Sequence, residues 1–362
     1  MHVVEGALKE YDWGVVDGLA RWHGRATGRP QAELWFGSHP AGPAVVVEGE
    51  DRGRSLADLS SYAGMPMVKL LAASTPLSLQ VHPDRARAEA GWRVQQGAPS
   101  AEWLYSDAAE KSEMLCAIAS FDAHAGWRDP AAAADVLARA GAPLAITAAV
   151  SAGDHPAAVR MLLSLEPSVS APIARRLVAS ATAAGWPADA VSALARVAAT
   201  HPDDPGVLVT VLLDHVLLAP GQALTVPAGV VHSYVYGLGV EVMTSSDNVL
   251  RLGLTSKPVA PDEALAAVRE DRRPAVVEAF TGDVLGSPDL PFALTFADRP
   301  LAQAPGAYRI VLALAGEVDA TCDSTAAVLP EGRALVLLPD DGEVRVEPSG
   351  TAIVVRGSQP PG

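Results

Sequence analysis

The sequence predicts a mainly β protein with an α-helical insert and a second, smaller C-terminal β domain. Changes of texture along the 362 residues carry that prediction. Short apolar runs broken by turn residues fill the first third. Alanine-rich runs punctuated by proline and glycine follow, and short apolar runs then return to the end. Apolar residues make up 49% of the chain, enough for two or three domains with sizeable cores.

From residue 1 to about 128 the strand-like runs are "PAVVVEG" (43–49), "PMVKLLAA" (66–73), "PLSLQVHP" (76–83) and "EMLCAIAS" (113–120). Between about 129 and 205, "PAAAADVLARAG", "HPAAVRMLLSLEP", "APIARRLVASATAAG" and "PADAVSALARVAATHP" each open near proline and close at glycine or before proline. Their apolar residues recur at three and four positions, so they read as helices that pack together. After Pro205 the run "GVLVTVLLDHVLLAPGQALTVPAGVVHSYVYGLGVEVM" reads as strands separated by "APGQ", "PAG" and "GLG" turns. "PDEALAAVRE" (261–270) reads as one helix, and "YRIVLALAGEV", "GRALVLLPD" and "GEVRVEPSGTAIVVRG" as evenly spaced strands of a sandwich or barrel. The expected organisation is a discontinuous β domain at 1–128 and 206–270, a helical subdomain inserted at 129–205, and a smaller β domain at 271–362.

A formal charge of −15 argues against nucleic acid, which needs a basic surface. No apolar run approaches the roughly 20 residues of a membrane span, and the start lacks a basic region followed by an apolar one. Cys116 and Cys322 lie far apart and read as two buried thiols, which fits a reducing cytoplasm. In so acidic a chain, a small anion must be met by a few locally placed basic residues.

The stretch "PLSLQVHP" alternates strictly: Leu77, Leu79 and Val81 on one face, Ser78, Gln80 and His82 on the other. "VVHSY" offers a second histidine, His232, at the head of a strand, and "EKSEM" places Glu113 at the head of a third. Gln80, His82, Glu113 and His232 would supply two imidazoles, a carboxylate and an amide oxygen, a set Zn²⁺ accepts. Spacing alone does not enforce their meeting. His39, His124, His155, His201 and His215 read as turn or helix-edge residues rather than ligands, and Trp13 and Trp35 as packing.

"TVPAGVVHSYVYGLGVEVM" resembles the second half of a cupin (jelly-roll) barrel. More widely, "YDWG", "AELWFGSHPAGPA" (32–44), "PLSLQVHPD", "EKSEM" and "VPAGVVHSY…VEVMTSSDNVLRLGLTSK" resemble motifs of the type I mannose-6-phosphate isomerases, also called phosphomannose isomerases. The resemblance covers roughly residues 9 to 258; the insert and the C-terminal domain match in texture and position only. It implies a cupin barrel as the catalytic domain and a cupin-like C-terminal domain. It implies one Zn²⁺ per chain, held by Gln80, His82, Glu113 and His232. It further implies catalytic roles for Arg251, Lys111 and Glu241, with Ser78, Tyr234 and Lys257 in the substrate pocket. Two positions depart from the family pattern: Ser112 stands where proline is usual, and could loosen the strand entry that positions Glu113, and Val15 stands where a small residue is usual.

The implied activity is interconversion of mannose 6-phosphate and fructose 6-phosphate through a cis-enediol, which supplies mannose 6-phosphate for GDP-mannose and glycoconjugate synthesis or serves mannose use. Glu241 and Lys111 are both candidates for the proton carrier. The alternatives to a catalytic role are that Glu241 pairs with Arg251 in a structural ion pair and that Lys257 faces solvent. The expected partner is a small phosphosugar, with neither nucleic acid nor membrane; a cytoplasmic monomer is expected, and an oligomer is left open. Two rival classes are a non-catalytic sugar-phosphate-binding cupin and another metal-dependent cupin enzyme, such as an Fe(II) dioxygenase. Neither accounts as well for Lys111 and Arg251 beside a full ligand set.

Overall fold

The computed structural model describes residues 1–100, 103–278 and 283–357. Two sheets dominate it. One has ten strands: Ala275–Glu278, Gln222–Val226, Glu113–Trp127, His232–Met243, Met67–Ala73, Glu33–Phe36 and Ala7–Lys9 in spatial order, with Leu213–Leu218, Leu79–Val81 and Leu250–Gly253 paired at its flank. The other has seven, running from Val284–Leu285 through Phe292–Ala297, Thr351–Gly357, Arg309–Ala315 and Arg333–Leu337 to His2–Glu5 and Val45–Val46. A four-stranded sheet, Leu301–Gln303, Val344–Pro348, Val318–Cys322 and Thr325–Leu329, closes the C-terminal unit. The mainly β cupin-type fold with a helical insert is therefore the one observed.

The period of two decides what each strand contributes. In Met67–Ala73, Val68, Leu70 and Ala72 join Leu34, Phe36, Met114, Cys116, Val240 and Val242 in an apolar core shared with Leu294, Ile310, Leu312 and Ile353 of the seven-stranded sheet. The opposite phase, Glu33, Trp35, Lys69, Leu71 and Glu241, turns inward and lines a cleft. Strands buried on both faces thus carry charge only on the barrel side.

The helices of the insert, Pro130–Ala140, Leu144–Ser151, His155–Leu163, Pro167–Ala183 and Ala188–Thr200, pack with Leu79 and Val81 in one core that includes Leu137, Leu162, Leu177 and Leu194. Proline and aspartate set their starts: Asp129 Oδ1 accepts from Ala132 N (2.9 Å) and Asp154 Oδ1 from Ala157 N (3.0 Å). The insert therefore covers the apolar face of "LSLQVH" and leaves Gln80 on the other. Leu79 is fully buried, so Leu79→Ala is expected to destabilise the fold by about 2–5 kcal/mol. Thermal denaturation would register this as a lowered Tm; an unchanged Tm would mean the helices do not back this strand.

Some expectations need correction. The apolar run after Pro205 begins as a helix, Gly206–Thr210, before the strand Leu213–Leu218. Asp204 Oδ1 accepts from Gly206 N (2.7 Å) and starts the turn. Every residue from 206 to 213 is buried, so no periodicity separates helix from strand there. The insert has five helices rather than four, since Leu144–Ser151 is helical too, and the run "APIARRLVASATAAG" belongs to its fourth helix, which starts at Pro167 and runs through Pro172 rather than opening beside it. A helix at Arg85–Gln95, capped by Asp84, follows the strand Leu79–Val81. The domain limits also cut across the sheets. His2–Glu5 pairs with Arg333–Leu337 in the C-terminal sheet, and Ala275–Glu278 pairs with Gln222–Val226 in the barrel. Hydrogen bonding over such separations leaves no local trace in composition. Residues 358–362 of the C-terminal domain lie outside the described residues. No helix among those described is long and apolar enough to cross a membrane.

Candidate active site and metal centre

Antiparallel register sets Arg251 opposite Gln80, and Gln80 opposite His232, on three adjacent strands. Directly opposed residues share a face, so these three side chains form a row, with Ser78 and His82 two positions along on either side of Gln80. Glu113 opens its strand opposite Val226 and Met243. The "PAG" turn before His232 is fastened to the same place: Gly229, at φ +91°, donates its N–H to the His82 carbonyl (2.8 Å).

His82, Glu113 and His232 are 1%, 0% and 0% exposed, and their donor atoms lie within 4.8 Å of one another. Glu113 Oε1 is 3.0 Å from His232 Nε2, and Oε2 is 3.2 Å from His82 Nε2. Each imidazole uses Nδ1 on a backbone carbonyl: His82 on Asn248 O (2.8 Å) and His232 on Val230 O (3.0 Å). Those acceptors fix the Nδ1–H tautomer, so both Nε2 atoms present lone pairs. Gln80 Nε2 lies 3.2 Å from His232 Nε2, while its Oε1 accepts from Ser78 Oγ (2.8 Å). Amide oxygen and nitrogen are interchangeable by a flip, which would turn Oε1 to the cluster.

Two lone pairs and a carboxylate at about hydrogen-bond distance, without protons to share, repel one another unless a cation lies between them. Glu113 Oε2 is buried without a hydrogen bond of good geometry, although the Lys111 ammonium lies 3.2 Å away. Burial holds His82 neutral, its pKa lowered to about 3, with Lys111 adding to the effect. Burial alone would raise the Glu113 carboxyl, but the Lys111 ammonium outweighs it and keeps the group well below the usual range. The residues fit a divalent metal of intermediate softness, and zinc matches the nitrogen–oxygen donor set.

The cluster sits behind a cleft of about 710 Å³, a size suited to a small polar ligand. All seven other residues singled out in the sequence line it or its rim: Ser78, Lys111, Tyr234, Glu241, Arg251 and Lys257, with Gln80 at the back. Tyr234 donates to Glu113 Oε1 (2.9 Å), and burial beside two carboxylates keeps that phenol protonated. Arg251 is half-buried, with only a 3.4 Å contact to the Val249 carbonyl. Neither it nor the exposed Lys257 has a carboxylate at ion-pair distance among the described residues.

Glu241 does not pair with Arg251. Register sets it opposite Lys69, whose ammonium is 2.8 Å away and also 3.5 Å from Glu33. Burial pushes the Glu241 carboxyl above its usual range, against the pull of Lys69. Burial would lower Lys69, but Glu241 and Glu33 raise it on balance. Sequence reasoning missed Lys69 and Glu33. The signal was available: a single lysine in the inward phase of an otherwise apolar strand. Trp35, read as packing, lies under Lys69 and donates to Glu33 Oε2 (3.0 Å).

The histidines set aside as ligands are absent from the cluster. His124 and His215, however, face each other on adjacent strands rather than in turns, and His201 lines the cleft. Ser112 does not loosen the entry to Glu113. Its N–H donates to Thr244 Oγ1 (3.2 Å) and its Oγ accepts from Ala228 N (3.2 Å), tying the Glu113 strand to the turn before His232.

The profile described as phosphomannose isomerase type I, catalytic domain, matches residues 1–130. Mannose-6-phosphate isomerase of Salmonella typhimurium is 27% identical over 394 residues, covering 98% of this chain and 99% of that protein. The mannose-6-phosphate isomerase of Emericella nidulans is 31% identical over 315 residues, 69% of this chain and 66% of that one. The chain belongs to the type I phosphomannose isomerase family. A solved zinc-bound mannose 6-phosphate isomerase superposes with a TM-score of 0.84 at 25% identity, covering 99% of this chain and 100% of its own. The match to the family extends beyond the motifs, since it runs through the helical insert and the C-terminal unit, where sequence offered only texture.

Proposed function

We propose that this cleft interconverts mannose 6-phosphate and fructose 6-phosphate with one zinc ion per chain, held by Gln80, His82, Glu113 and His232. The observation that carries the reading is the buried convergence of two imidazole lone pairs and a carboxylate beneath a cleft whose wall holds Arg251, which has no carboxylate at ion-pair distance among the described residues. When bound, the zinc supplies Lewis acidity for sugar oxygens that gain negative charge. Everything else falls to the chain's own side chains.

Ser78 and Lys257 meet the phosphate, and Tyr234 fixes Glu113 while facing the sugar. Isomerisation of the open-chain aldose removes the proton at C2. That electron pair forms the C1–C2 double bond, and O1 takes up a proton to give the cis-enediol. O2 then gives up its proton as C1 gains one, and the ketose results. Arg251 stabilises the developing enediolate, because its guanidinium stays charged near neutrality and is already in place. Glu241 and Lys111 are the two groups able to carry the proton. Buried Cys116 and Cys322 thiols support a cytoplasmic setting, where we place the enzyme as a monomer.

A base with a raised pKa is lost as pH falls through that raised value. If Glu241 is the carrier, kcat/KM falls on the acid side at a pH above that of an ordinary carboxylate, and Glu241→Gln abolishes this limb. A limb unchanged in Glu241→Gln would assign the proton to Lys111. The reading as a whole is tested by incubating purified protein with mannose 6-phosphate and following fructose 6-phosphate, with oxygen uptake measured alongside. Isomerisation without oxygen consumption is expected. Binding without turnover would leave a sugar-phosphate receptor instead.

A further inference from the structure

Asn248 is fully buried, and its side chain spends its bonding capacity on a separate segment of chain. Its Oδ1 accepts from the backbone N–H groups of Ser106 (2.8 Å) and Asp107 (3.4 Å). Its Nδ2 donates to the carbonyls of Asp107 (2.9 Å) and Ala109 (2.7 Å) and to Asp107 Oδ1 (3.0 Å). These contacts fall on the loop that leads into Lys111, a stretch with neither helix nor strand to define its path. Ser246 adds its hydroxyl to Asp107 Oδ1 (2.9 Å) and accepts from Asn248 N (3.2 Å). The backbone carbonyl of Asn248 is the acceptor for His82 Nδ1.

We propose that Asn248 is a positioning residue that couples the ligand His82 to Lys111. One amide fixes the loop that delivers the ammonium, and those bonds in turn fix the carbonyl that selects the His82 tautomer. A ligating imidazole depends on such an acceptor for its orientation and basicity. Lys111 Nζ, 3.2 Å from both His82 Nε2 and Glu113 Oε2, is the group that must stand off when a cation enters. Loss of the amide releases both groups at once. The inference rests on the zinc-isomerase reading of the cleft and adds to it a residue that touches neither substrate nor metal.

The test compares the wild-type protein with Asn248→Ala, Asn248→Asp and the double variant Asn248→Asp/Asp107→Asn. Zinc affinity is read by chelator competition, the cobalt(II)-substituted protein by visible absorption, and turnover by steady-state kinetics. Asn248→Asp keeps size and one acceptor but turns a carboxylate oxygen toward the two carbonyls and Asp107; it decides the matter should the alanine variant fail to fold. The expected result is a loss of zinc affinity of about 10–100-fold, an altered cobalt spectrum, and a kcat that falls more than KM rises. Asp107→Asn should restore part of the affinity by returning a donor to the pair. Wild-type zinc affinity and cobalt spectrum in Asn248→Asp would overturn the coupling. A wild-type protein that holds no zinc would overturn the reading of the cleft beneath it.

Discussion

Replacing His82 by alanine is expected to empty the metal site and reduce isomerisation to background. His82 is held almost entirely by polar contacts, to Asn248 O, Glu113 and Lys111, and lies outside the apolar cores, so the barrel should stay folded. Its loss leaves one imidazole, one carboxylate and one amide, a poor set for zinc. It also frees the Lys111 ammonium, already 3.2 Å from Glu113 Oε2, to close on that carboxylate in place of the cation. The fall in zinc affinity should exceed the roughly 10–100-fold that follows from losing a partner behind a ligand. His232→Ala should behave alike, since its Nε2 is 3.0 Å from Glu113 Oε1. Metal analysis on folded variant, checked by circular dichroism, decides it. Stoichiometric zinc with turnover in His82→Ala would mean that the ligand set is wrong.

Arg251→Ala should separate chemistry from metal binding. Its strand position opposite Gln80 brings a guanidinium to the cleft wall with no carboxylate at ion-pair distance among the described residues. Burial lowers its pKa somewhat from the ordinary value, but not to where the proton is lost. A preorganised cation with no partner to give up is suited to charge that exists only in the transition state. Losing it should lower kcat by about a hundredfold or more, with a smaller change in KM, because uniform binding is not what it supplies. Zinc content should be unchanged, as no ligand bonds to Arg251. Near-normal turnover, or a protein stripped of zinc, would show that the residue acts elsewhere.

The site was legible where chemistry and periodicity coincide. Ser78, Gln80 and His82 stand out because three polar side chains share one phase of a strand whose other phase is apolar, and the helical insert explains that apolar phase. Glu113 and His232 could be nominated as strand-opening donors, but what joined them to His82 was resemblance to a family. Tertiary pairing brings them together, and no local spacing encodes it. Lys69 was legible as the single charge in the inward phase of an apolar strand, but its meeting with Glu33 and Glu241 was not, because the three lie on three strands. Asn248 was read within a signature, yet its bonds to residues 106–109 depend on a loop whose path the sequence does not specify. In the fold, the apolar run 206–213 is buried all round and carries no period, so its helical start was misread as strand. The placement of His2–Glu5 in the C-terminal sheet is a long-range pairing of the same unreadable kind.

On the proposed reading, one zinc ion at Gln80, His82, Glu113 and His232 makes this cleft an isomerase. This is tested most directly by stripping the purified protein with a chelator, removing the chelator, and adding zinc back while conversion of mannose 6-phosphate to fructose 6-phosphate is followed. Negligible activity is expected in the stripped protein, then a linear rise that breaks at one zinc per chain. Full activity in protein shown to be metal-free would contradict it.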